Sequence, residues 1–138
     1  MMGEIQRALY GFWSSFGVEA YYEGRVPVKD YKEDGTIIPI DPPYITFDAH
    51  SGETFAADTL VAISWHMAKN GANVQRERAD MLDRIARAIP PAGRRIDLES
   101  GGYLMLYRGP SFQSFYDDPE DRSVIGGRTS CVVIYYTL

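Results

Sequence analysis

The sequence is poor in the residues that small domains use as staples: its 138 positions hold one cysteine and two histidines. A lone cysteine closes no internal disulfide, and two histidines offer few ligands for a structural metal. No run of eighteen apolar residues occurs, which argues against a membrane-spanning helix. The first residues lack the basic flank and apolar stretch of a secretory signal. The expectation is a soluble chain made in a cytoplasm. Phosphate loops of the G-x-x-x-x-G-K-[ST] or G-x-G-x-x-G type are missing, and Ser14, Ser15 and Ser111 have no G-x-S-x-G frame. Positive charge is also scarce. Fourteen basic against nineteen acidic residues leave a net charge of −5, and that field repels polyanions, so a dedicated nucleic-acid binder is not expected.

What is present is the balance of an ordinary globular protein, 45% apolar and 24% charged, in a length that suits one domain, residues 1–138. Ile5, Ala8, Leu9, Phe12, Trp13 and Phe16 recur on one helical face, so residues 3–16 are predicted helix, stopped by Gly17. Val18 to Tyr22 reads as a short strand. Glu23 to Pro43 holds four prolines and few core candidates, which predicts a long surface loop, 23–42, with room for a hairpin around Asp34-Gly35. Tyr44 to Phe47 and Thr54 to Met67 suit an antiparallel ribbon turning at Ser51-Gly52.

A second helix follows, capped by Asn70 or Asn73 and ended by Pro90-Pro91. Val74, Arg78, Met81, Leu82, Ile85, Ala86 and Ile89 mark its inner face, while Arg76, Glu77, Asp80, Asp83, Arg84 and Arg87 make a solvated one. Arg95 to Leu98 and Tyr103 to Tyr107 flank Glu99-Ser100-Gly101-Gly102, a tight hairpin. Phe112 to Tyr116 is ambiguous. An acidic loop from Asp117 to Arg122 and a last strand, roughly Arg128 to Thr137, complete the chain. Helices interrupting hairpin-connected strands predict an α+β domain: a mainly antiparallel sheet with two helices on one face.

Residues able to do chemistry are few. Asp48 and His50 alternate along a strand and could share a metal, yet no further histidine or cysteine lies at ligand spacing. The run Asp117 to Asp121 lacks the alternating acids and sixth-position glycine of a calcium loop. Cys131 lies in an apolar run and reads as core. A small-molecule- or metal-binding α+β domain is therefore the minor alternative.

The string from Ala8 to Tyr21, Ala-Leu-Tyr-Gly-Phe-Trp-Ser-Ser-Phe-Gly-Val-Glu-Ala-Tyr, resembles the opening of tail terminator proteins of long-tailed bacteriophages. The likeness continues through Pro43-Tyr44-Ile45-Thr46, Ser64-Trp65, Gly101-Gly102-Tyr103-Leu104, Arg108-Gly109, Phe112, Asp118-Pro119 and Asp121, in order along nearly the whole chain. The 23–42 stretch is longer than that pattern, and Pro90-Pro91 departs from it. The resemblance implies a homohexameric ring on the head-proximal end of the tail, binding the tail tube protein on one side and the head-completion protein on the other. DNA would only pass through its lumen; neither membrane, cofactor nor catalysis is implied. A head-completion or neck connector protein is the alternative in the same class. Tyrosine is enriched at interfaces and loops carry partner contacts. The expected interface residues are accordingly Tyr21, Tyr22, Tyr31, Tyr116, Asp117, Asp118, Pro119, Glu120, Asp121 and Arg122.

Overall fold

The aromatic face near the N-terminus forms helix α1, Met2–Trp13, continued by a 3-10 turn over Ser14–Phe16. Ile5, Leu9, Phe12, Trp13 and Phe16 are all buried, each stabilising the fold by roughly 1.5–3 kcal/mol. The computed structural model describes residues 2–23, 26–48, 57–68, 72–117 and 123–136. The expected turn at Ser51-Gly52, the candidate cap Asn70, His50 and Asp118 to Arg122 lie outside these residues.

The strands are β1 (Glu19–Tyr22), β2 (Val28–Tyr31), β3 (Ile37–Pro39), β4 (Tyr44–Phe47), β5 (Ala57–Met67), β6 (Arg94–Asp97), β7 (Tyr103–Asp117) and β8 (Val124–Tyr136). Helix α2, Ala72–Ala88, separates β5 from β6. Six strands form one curled sheet in the order β1-β4-β5-β8-β7-β6. All its pairs are antiparallel except β1 with β4. The chain is thus a single α+β domain, with both helices on one face of the sheet. One core joins Leu9, Trp13 and Phe16 to Met81, Ile85 and Ile89 over Ile45, Leu60, Leu106, Cys131 and Val133.

The hairpin inside the 23–42 stretch exists as β2 and β3, and its strands contact each other and little else. Gly101, at φ 101°, supplies the left-handed residue that the β6–β7 hairpin requires. Several sequence expectations are corrected. Asn73 sits inside α2 and so does not cap it. Phe112 to Tyr116 is strand, Asp117 is the last residue of β7 rather than the first of a loop, and β8 begins at Val124. The reason is length: β7 and β8 pair almost end to end, across an irregularity. Between Arg108↔Cys131 and Gln113↔Thr129, five steps along β7 match two along β8. That odd excess inverts the alternation of β7, turning Gln113 and Phe115 toward the helices and Ser114 and Tyr116 away.

Polar groups of β7 on either side of the irregularity reach α2. Gln113 Nε2 donates to the Leu82 carbonyl at 2.7 Å. Arg108 Nε and Nη2 donate to the carbonyls of Ile89 at 2.7 Å and Ala86 at 3.0 Å. A guanidinium there satisfies the open carbonyls of the helix C-terminus and meets the negative end of its dipole.

Candidate interaction surface

A sheet covered on one side normally alternates apolar inward and polar outward. Here much of β5, β7 and β8 is apolar on both, although Ser114 of β7 and Arg128 and Ser130 of β8 also point away from the helices. The residues directed away from the helices include Val61, Ile63 and Trp65 of β5, Met105 and Tyr107 of β7, and Val132 and Ile134 of β8, all half-buried. Among the described residues no helix lies over this open face. Its apolar side chains are each only partly exposed and shelter one another along the pleat, and a partly exposed apolar row is a candidate contact site.

One end of the open face carries an aromatic row across the strands. Tyr21 meets Tyr44 edge-on at 6.0 Å, Tyr44 is the register partner of Trp65, and Trp65 meets Tyr116 edge-on at 5.6 Å. Gly126 of β8 lies between the last two in register, and its missing side chain lets them touch. A Cβ there would stand 2.8 Å from Ile63 Cγ2 and 3.2 Å from the Tyr116 carbonyl oxygen. Trp65 Nε1 donates to Thr46 Oγ1 at 2.9 Å, which fixes the indole. Tyr44, Trp65 and Tyr116 help line a cavity of about 420 Å3 that also touches Glu23 and Asp48. The Asp48 carboxylate accepts the Val61 N–H at 2.6 Å and is held against the ribbon.

The expected interface residues separate accordingly. Tyr21 and Tyr116 lie on the open face. Tyr22, one residue on, turns to the helix side, where its ring packs 4.6 Å from Phe47 and burial raises its pKa. Strand alternation forbids these neighbours from sharing a surface. Tyr31 is on the projecting hairpin and 61% exposed, with Ile37 at 55% beside it. Asp117 faces the helix side, 3.5 Å from Arg78. Asp118, Pro119, Glu120, Asp121 and Arg122 lie outside the described residues.

Sequence reasoning missed two features. Trp65 and Tyr44 complete the aromatic row, and the apolar pattern on both parities of β5 was the signal for them. A polar network beneath α2 had no such signal. Arg78, expected on the inner face, is buried, and its guanidinium caps the Phe115 ring at 3.9 Å. Its nitrogens donate to Gln75 Oε1 at 2.6 Å and the Gly126 carbonyl at 3.4 Å. Next to it His66 Nε2 lies 3.1 Å from Ser64 Oγ, and His66 Nδ1 lies 3.6 Å from Glu77 Oε2. Burial pushes the His66 pKa down, opposed by the Glu77 carboxylate.

Hydroxyl, imidazole and carboxylate in this order are the components of a nucleophile, its base and an orienting acid. Ser64 and His66 are 2% and 1% exposed, however, and the Ser64 hydroxyl is turned to the Gly127 carbonyl at 3.4 Å. Neither residue lines the aromatic cavity. Burial raises the Cys131 thiol to about 12, which leaves it protonated and unreactive at neutral pH. Among the described residues no group of three or more His, Cys, Asp or Glu is placed to hold a metal, and no helix is long and apolar enough to cross a membrane.

Fold and surface together define an α+β domain with one sheet face filled by its own helices and the other, among the described residues, largely apolar and not covered by a helix. No family model, curated protein or solved structure matches the chain.

Proposed function

We propose that this chain is a structural subunit of a phage-type virion, a tail terminator that forms a homohexameric ring on the head-proximal end of the tail tube. The open apolar face of the sheet carries this reading, because it needs a cover that the described residues do not provide. The resemblance of residues 8–21 and the ordered motifs after them names the assembly; the open face supplies a reason for the chain to enter one. A ring forms when a heterologous contact repeats through a rotation that closes. Its two ends then differ. One end accepts the tail tube protein and the other offers a surface to the head-completion protein but none to a further tube subunit, so polymerisation stops by lack of fit. DNA passes through the lumen without being held.

The test is reconstitution with purified tube subunits. Added chain is expected to shorten the polymers and to appear at one end only, and deletion of its gene is expected to give abnormally long tails. Tubes of unchanged length with unlabelled ends would contradict the reading. A neck connector would use the same open face, but it would bind portal or adaptor subunits and leave tube subunits in solution.

A further inference from the structure

Resting on the ring reading, we propose that the contact between copies is a strand pairing: β1 of one copy adds to β6 of the next, and the sheet continues across the boundary. These two strands are the edges of the six-stranded sheet. Each is four residues long. Among the described residues neither outer edge receives a backbone hydrogen bond from another element. A sheet edge carries a row of unpaired donors and acceptors ready to template another strand, and proteins control such edges with charge.

The charges on the two edges are opposite. Glu19 opens β1 and Glu23 follows it, both exposed; Arg94 and Arg95 open β6, also exposed. Arg95 is held at the edge by a 2.7 Å bond to Asp97 and by its guanidinium over the Tyr103 ring at 4.0 Å. Like charges directly opposed destabilise a strand pair, and unlike charges support it. Pairing β1 with β1 brings together two edges that are each net negative. Edge β6 also carries Asp97, bonded to Arg95, and stays net positive by one charge, so β6 with β6 joins like net charges while β1 with β6 joins unlike ones. Charge therefore favours the head-to-tail contact, the kind that builds a ring rather than a two-fold dimer.

Both edges also have room beside them. A groove of about 360 Å3 lies between α1 and β6, lined by Gly11, Phe12, Arg94 and Ile96 among others. Another of about 490 Å3 lies between α1 and the β1 side, touching Tyr10 and Tyr22. Side chains of an incoming edge strand can enter these grooves while its backbone bonds to the edge.

Paired charge reversals test the contact in the full chain. One variant carries Glu19→Lys with Glu23→Lys, the other Arg94→Glu with Arg95→Glu, and circular dichroism confirms that both are folded. Alone, each opposes like charges at the boundary, and sedimentation velocity should show self-association weakened roughly tenfold or more. Mixed in equal amounts, the two variants face each other through one native and one swapped boundary, and association should return to the wild-type level. Variants that each associate like the wild type would overturn the edge pairing while leaving the ring reading to another surface. A mixture as weak as its components would overturn it as well. A wild-type chain that stays monomeric at the highest attainable concentration would also overturn it, and the ring reading would then be decided on tubes.

Discussion

The two faces of the six-stranded sheet carry similar chemistry and differ in what covers them. On one, Leu60, Leu106, Cys131 and Val133 are sealed under α1 and α2. On the other, Val61, Ile63, Met105, Val132 and Ile134 come from the same strands, one residue out of phase, and remain half-buried. The chain's two tryptophans divide between them: Trp13 is fully buried on the helix side and Trp65 stands on the open side. Strands apolar on both parities are those of a sheet covered twice. The comparison teaches that, among the described residues, this chain's own helices cover one of the two faces and not the other.

If the faces differ in this way, substitutions should separate stability from association. Trp13→Ala should cost about 3–5 kcal/mol in urea denaturation, the range for emptying a large aromatic site. The matching change on the open face, Ile134→Ser, should cost the isolated chain about 1 kcal/mol or less, near the surface range. Equal losses from the two would erase the distinction. Gly126→Ala forces a methyl against Ile63 and the Tyr116 carbonyl oxygen, and overpacking of this sort costs about 1–3 kcal/mol. It should also separate Trp65 from Tyr116, which near-ultraviolet circular dichroism reads directly.

The smallest effect concerns the polar network on the covered side. The His66 pKa is lowered in the folded chain, so the unfolded chain binds the proton first as pH falls. This contribution is whole above the imidazole's ordinary 6.5 and declines as pH drops below it. Urea midpoints taken above and below that value should fall on acidification in the wild type, and less steeply in His66→Gln. An equal decline in both would remove His66 from the account.

Much of this fold was legible in the sequence because the signals were local. The aromatic spacing of α1, the proline pair after α2 and the Gly101 turn each act within a few residues. The projecting hairpin was readable from Asp34-Gly35 for the same reason. The register irregularity at β7 was not, since three extra residues between Arg108 and Gln113 have meaning only against β8. That single feature turned Asp117 toward Arg78 and Tyr116 toward Trp65. Of the candidate surface, tyrosine content pointed to Tyr21 and Tyr116, which lie on the open face; Tyr31 stands on the separate hairpin, and alternation turns Tyr22 to the helix side, where it packs on Phe47. Arg78 shows the limit of periodicity, which put it on the inner face and said nothing of its partners Gln75, Phe115 and Asp117.

The central claim is that protein covers the open face when the chain is in its assembly, and Trp65 reports on it. In a Trp13→Phe chain, acrylamide quenching of Trp65 is measured on the free protein and on the protein capping a tail tube. The account predicts a marked fall in quenching on capping, toward that of a buried indole. Quenching unchanged in tubes that carry the chain would contradict it.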